Sequence, residues 1–330
     1  MSALSRPPLV ELHIHLEGCL TAARAQALWS ERPSIEPPLV GVLQDGSWRF
    51  RDLGEFLQLF AWAARLLDSP AAYRQLLQDT AAFLEAQGIV YAELFVAFGV
   101  MHHFDRDPKE IVPELADWAK AHAREGGVDL RFIADGVRQF GPRAAARVLE
   151  DAIALREQRV VGLGIGGDEN SLPASAFAEL YARAREAGLG TTLHAGEGTS
   201  ARAVAEAMEL GVSRIGHGIA AAEDPGVMRE LVKRGVVLEV CPGSNLRSGA
   251  WTRGRASHPL KRLAEAGVRV CLGSDDPSFF QTSLKDEWEE CLAHGFSHSK
   301  LREWNEGAAA AAFLPEDERR RLLHRVQKKS

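Results

Sequence analysis

Short runs of β-branched and apolar residues recur along the chain, each followed by a longer stretch rich in Ala, Leu, Glu and Arg, which is the pattern of βα units. Eight runs qualify as strands: 9–16, 89–95, 130–134, 160–164, 191–194, 214–217, 236–240 and 269–272. Between the later ones the spacing predicts helices over 173–187, 201–210, 224–234 and 259–266, with Gly188 and Gly267 close behind the first and last of these. Eight such units predict an α/β fold, a closed (β/α)8 TIM barrel, read as one domain over 1–330. A doubly wound open sheet is the rival, but no G-x-G-x-x-G opens a helix after the first strand.

The first crossover, about 21–87, is far longer than one helix needs and holds Trp48, Phe50, Phe56, Phe60 and Trp62. It is expected to be a helical lid inserted after strand 1, with Trp48, Phe56, Phe60 and residues 95–101 as candidates to line a pocket. The tail, 314–330, is expected to be a charged, solvated helix.

Composition narrows the function without naming it. The 330 residues are 46% hydrophobic and 25% charged, the balance of a globular protein with a large core. Lys plus Arg is 39 and Asp plus Glu is 45, a net charge of −6 without a basic run, so neither nucleic acid nor an anionic membrane is an expected partner. The four cysteines, Cys19, Cys241, Cys271 and Cys291, never form a C-x-x-C pair, so no disulfide framework or zinc knuckle is expected. The first eight residues lack an apolar h-region, and nowhere do ~18 uninterrupted apolar residues occur. A cytoplasmic location is the expectation.

Candidate chemistry lies at the strand ends. His13 and His15 alternate with Leu12, Ile14 and Leu16, so both imidazoles point to one side of a strand. His194 and Glu197 follow strand five, His217 ends strand six, and Asp275 and Asp276 follow strand eight, the barrel face on which active sites form. His13, His15, His194 and Asp275 make an N3O set suited to one Zn²⁺ with a position left for water, although Fe²⁺ or Co²⁺ could use it. A two-metal site would want a bridging Lys at the end of strand four, and 160–169 contains none. His217 is then free to take a proton from water, and Glu197, kept protonated by enclosure, to serve a ring nitrogen. Gly166 and Gly167 allow close approach of a flat ligand. This is machinery for hydrolysis at an electron-poor carbon.

The segments ELHIHLEG (11–18), GGDE (166–169), LHAGEG (193–198), RIGHGI (214–219), LEVCPGSN (238–245) and SDDP (274–277) together resemble the adenosine deaminase family of the amidohydrolase superfamily. The resemblance implies zinc on His13, His15, His194 and Asp275. It implies Glu197, His217 and Asp276 as catalytic residues: Glu197 a proton donor to purine N1, His217 the activator of water, Asp276 a partner of N7. It places His15, Glu17, Gly167 and Asp276 against the substrate, with Gly167 at N3 and Glu17 near the sugar. The implied reaction is hydrolytic removal of the 6-amino group of a small-molecule adenine nucleoside. Two departures bear on the sugar: Glu17 replaces the Asp of vertebrate-type members, and 93–101 lacks their Arg-x-Ser-Pro-like pattern. The chain is more similar there to relatives acting on 6-aminodeoxyfutalosine, a 5′-modified adenine nucleoside, whereas GGDE differs from the usual segment of adenine deaminases. Rival expectations are an amide or phosphoester hydrolase with two metals and an inactive nucleoside-binding protein; the latter should have lost ligands that are all present.

Overall fold

Eight runs dense in Val, Ile, Leu and Phe are each too apolar to leave a face in water, as strands covered on both sides require. The computed structural model describes residues 7–36, 47–251 and 258–328. It forms the runs into β1 (Leu9–His15), β2 (Ile89–Val96), β3 (Asp129–Val137), β4 (Val160–Gly166), β5 (Gly190–Ala195), β6 (Arg214–His217), β7 (Val237–Val240) and β8 (Arg269–Leu272). Every neighbouring pair is parallel and the order is β1 to β8 without a crossover. The circle closes just beyond β8, where His15 N–H donates to the Asp275 carbonyl at 2.8 Å and Asp275 N–H to that of His13 at 2.9 Å. An open doubly wound sheet has no such closure, and the barrel expectation holds.

The outer helices start where local chemistry dictates. Asp224 accepts from the amides of Gly226 and Val227 ahead of the helix Pro225–Arg234, which ends at Gly235 with φ +67°. The expected 173–187 helix starts tighter, as a 3-10 turn over Ala174–Phe177 before the α-helix Ala178–Glu186. In the long first crossover, Thr21, Asp52 and Ser69 cap the helices Ala22–Ser30, Leu53–Arg65 and Pro70–Glu85.

The tail departs from expectation. Its helix Glu316–Gln327 is charged on one side, but Leu322 and Val326, one turn apart, are buried against Val10, Leu12 and Tyr91 of β1 and β2. Just before it, Phe313 lies under the barrel in space that Gly162 and Gly190 leave open; a Cβ on Gly190 would fall 2.1 Å from the Phe313 Cγ. No helix among the described residues is long and apolar enough to cross a membrane.

Candidate active site at the C-terminal mouth of the barrel

Strand periodicity puts His13 and His15 on the inner side of β1, with the Phe95 ring packed 4.9 Å and 4.8 Å from theirs. His217 at the end of β6 and Asp275 just beyond β8, next to β1, leave their strands with φ +58° and +61°. Non-glycine residues are rarely left-handed, and the surrounding structure must hold such strain in place; it concentrates at functional sites.

These turns aim the side chains at one point. His13 Nε2 and His15 Nε2 each lie 3.4 Å from Asp275 Oδ1, too far for good hydrogen bonds but close to the ~3.3 Å edge of a tetrahedron with bonds of ~2.05 Å to a central Zn²⁺. The His194 ring is 4.8 Å from that of His13 and 5.4 Å from that of His15. His13 Nε2 and His194 Nδ1 are buried without a hydrogen-bond partner. Orphaned imidazole nitrogens facing a carboxylate fit a divalent metal.

The donor atoms fall into two overlapping groups, His13 with His194, His217 and Asp275, and His15 with Asp275 and Asp276, each within 4.8 Å. The two faces of Asp275 separate them. Its Oδ1 looks at His13 and His15, whereas Oδ2 accepts from Ser244 Oγ at 2.6 Å and lies 3.9 Å from His217 Nε2. His217 is held through Nδ1 by the Asn245 amide at 3.0 Å, so its Nε2 faces both Asp275 and Glu197 Oε2, the latter at 3.6 Å. This favours His15 over His217 as fourth member of the donor set.

Electrostatics sort the groups by charge. Burial would raise Asp275, but the His13 and His15 imidazoles facing its Oδ1 outweigh it and hold the carboxyl well below its usual range. Burial, with three other histidines around it, pushes His194 far down, which keeps it neutral as ligation demands. Glu197 is raised by burial despite His217, and Asp276 is raised by burial and by Asp275 beside it. The site thus pairs an anionic carboxylate with two that favour their protons.

Outside the reacting groups lies a layer that sequence reading did not assign. Glu239 on β7 binds His13 Nδ1 at 2.7 Å and accepts from Thr192 Oγ1 at 3.0 Å. Glu169, last residue of GGDE, accepts from the amides of Gly196 at 2.7 Å and Glu197 at 2.9 Å and from the Thr199 hydroxyl, and Ser248 Oγ donates to Glu197 Oε1 at 2.8 Å. Glu169 therefore sets the loop that carries Glu197. A Glu169→Gln variant, with one acceptor fewer, is expected to lose roughly 10-fold in kcat with metal content unchanged; parallel turnover and metal assays check it, and full turnover would free the loop from this control.

A cavity of about 110 Å³, partly open to solvent, lies over these groups. Its floor includes His15, His194, Glu197, His217, Asp275 and Asp276, and its walls include Leu53, Phe56, Leu57, Phe60, Val100, Phe140 and Phe280. Phe56 and Phe60 line it as expected, and Ala97 and Val100 do so from the 95–101 segment. Trp48 does not: it stacks on Phe279 at 4.5 Å and donates to the Leu20 carbonyl at 3.0 Å. Gly167 lines the cavity with φ +92°, and a Cβ there would fall 2.4 Å from Gln139 Oε1. Gly18 makes room for Asp276, whose Oδ1 would be 2.2 Å from a Cβ at that position. Glu17, expected beside the sugar, is not among the lining residues; it is fully buried, accepting from Tyr73 Oη and the Ala97 amide, both at 3.1 Å. It ties the end of β1 to the end of β2, a strut rather than a wall.

Residues 8–329 match the adenosine deaminase family. An adenine deaminase of Agrobacterium fabrum is 36% identical over 321 residues, covering 96% of this chain and 97% of the relative. The crystal structure of an adenine deaminase from Arthrobacter aurescens superposes with a TM-score of 0.87 at 31% identity, covering 97% and 98% of the two chains. An amidohydrolase from Burkholderia ambifaria, solved with bound zinc, shares the fold with a TM-score of 0.81 at 24% identity over 96% and 88%. A match of this extent, on a barrel with the donor set at its mouth, makes the chain a member of the adenosine deaminase family of hydrolytic deaminases.

Proposed function

We propose that the protein is a zinc-dependent deaminase that hydrolyses a 6-aminopurine nucleoside at C6 and releases ammonia. His13, His15, His194 and Asp275 would hold one Zn²⁺, which supplies Lewis-acid activation of water at neutral pH. Glu197 donates a proton to N1 and makes C6 electrophilic. His217, fixed by Asn245, takes a proton from the attacking water as the C6–O bond forms. The proton taken by His217 passes to the exocyclic nitrogen, which leaves as ammonia as the C6–N bond breaks and the C6 hydroxyl returns a proton to Glu197, and the purine is held by Asp276 at N7 and the Gly167 amide at N3.

The cavity carries the choice of a nucleoside. Beyond the catalytic groups it continues along Leu57, Phe60, Val100 and Phe140, an apolar wall outside the polar floor that would hold the base. An adenine nucleoside with an apolar or aromatic 5′ group, of which 6-aminodeoxyfutalosine is one, uses that wall. The second reading, free adenine, is favoured by the activity named for the relatives in Agrobacterium and Arthrobacter.

Ammonia release from adenosine, 2′-deoxyadenosine, 5′-methylthioadenosine, 6-aminodeoxyfutalosine and adenine decides between them. The expected result is a kcat/KM for at least one nucleoside at least 10-fold above that for adenine, with about one zinc per chain that His15→Ala removes. Turnover of adenine alone would install the second reading, and no ammonia from any of the five would end the deaminase reading of these substrates.

A further inference from the structure

Three residues lining the cavity carry a buried side-chain atom without a hydrogen-bond partner: His194, Asp276 and Asp135. The first belongs to the donor set and the second faces purine N7 in the reading above. Asp135 has no part in that chemistry. It lies near the end of β3, its side chain 9% exposed, with Oδ1 unpartnered and Oδ2 3.9 Å from His15 Nδ1, outside hydrogen-bond reach. Its position is built rather than incidental: Gly164 on β4 leaves room for it, and a Cβ there would fall 3.0 Å from Asp135 Oδ1 and 2.8 Å from Phe95 Cε1.

The order of strands says which part of the ligand meets Asp135. Resting on the nucleoside reading, Glu197 after β5 takes N1, Gly167 after β4 takes N3 and Asp276 after β8 takes N7. Around the purine perimeter the nitrogens run N1, N3, N9, N7, and around the barrel the arc leaving β5 and β4 runs through β3, β2 and β1 to β8. N9 and whatever it carries therefore face the β3–β1 arc. Of the other lining residues of that arc and the turns after it, Ala97, Val100, Gly136, Val137 and Phe140 bring no polar side chain, His15 belongs to the donor set, and Gln139 Oε1 already accepts from the Asp168 amide at 3.0 Å.

We propose that Asp135 binds a ribose hydroxyl of the substrate and so selects nucleosides over the free base. A hydroxyl both donates and accepts, so it pairs with a carboxyl in either protonation state. Removing the sugar leaves a preorganised buried carboxyl without its partner, the arrangement by which sites reject analogues lacking a polar group.

The test compares wild type, Asp135→Ala and Asp135→Asn on adenosine, 5′-methylthioadenosine, their 2′- and 3′-deoxy forms and adenine, with zinc content and inosine and hypoxanthine binding measured in parallel. Asp135→Ala is expected to lower kcat/KM for the best riboside roughly 10- to 100-fold and to weaken inosine binding similarly. It should change adenine turnover and hypoxanthine binding less than about 3-fold, leave zinc content intact, and erase the penalty the wild type shows for one of the deoxy forms. Asp135→Asn, which still accepts, should restore part of the riboside activity and provides the same comparison if the alanine variant does not fold. An equal loss on every substrate, a loss of zinc, a selective loss on adenine, or no change overturns the proposal. A wild type that turns over adenine and no nucleoside instead removes the nucleoside reading on which it rests, before any variant is made.

Discussion

Glu197→Gln is expected to lower kcat by roughly 10²- to 10⁴-fold while leaving the affinity for a purine within about 3-fold. The substitution keeps the shape of the side chain and an oxygen that accepts from Ser248, and the loop below it remains held by Glu169. It removes only the ability to give up a proton. Burial raises the Glu197 carboxyl, so at neutral pH a protonated population persists that can serve N1. As pH rises through that elevated value the proton is lost, so the wild type should lose kcat/KM on the alkaline side. In the variant the residual rate should lack the limb that belongs to Glu197. Stopped-assay kinetics from pH 5 to 9, with inosine binding as the control, check both statements. A variant within a few-fold of wild type, or one that no longer binds inosine, would remove Glu197 from the role of acid.

How much of this site could be read from the chain depends on whether its information is local. The pairing of His13 with His15 follows from a period of two along one strand, and the positions of His194, His217 and Asp275 follow from where apolar runs stop. Those residues do converge at the mouth of the barrel. Glu239, Ser244 and Asn245 sat in plain view in one of the family segments, yet their partners lie on other strands, His13, Asp275 and His217, and no spacing along the chain reveals such pairs. A signal existed: an acidic residue inside the apolar run 236–240 and a basic one opening 214–217 are expensive to bury unless they meet. The tail helix is not legible because Leu322, Leu323 and Val326 stand among charges, and their partner surface lies about 310 residues earlier on β1 and about 230 earlier on β2. Trp48 shows the converse. Aromatic content near a site does not say which face of a ring the cavity takes, and here Phe279 takes it. Glu17 illustrates a further gap, since a motif position supplied by resemblance turned inward to Tyr73 and Ala97.

The largest loss of stability is expected from Arg214→Met, roughly 3–5 kcal/mol in urea unfolding. Arg214 is fully buried within the barrel, 2.7 Å from Glu93 Oε2 and 2.5 Å from Glu239 Oε1, with its guanidinium 3.5 Å above the Phe313 ring and a further bond to the Ala311 carbonyl. An apolar replacement leaves two carboxylates in the core without a cation, the costly way to break a buried ion network. Adding Glu93→Gln should recover part of the loss, because one of those charges goes with it. The same contact explains why a charged network is kept where a hydrophobic one would pack. Burial would raise Glu239, but Arg214 and His13 outweigh it and keep its carboxyl below the ordinary value, hence anionic, and an anion on Nδ1 fixes the His13 ring with Nε2 facing the donor set. Arg214→Met should therefore weaken zinc affinity roughly 10- to 100-fold as well as stability, although Arg214 touches none of the donor residues. Unfolding within 1 kcal/mol of wild type would show that the barrel interior tolerates the unpaired charges. Lost stability with wild-type zinc affinity would show that Glu239 holds His13 without help from the cation beneath it.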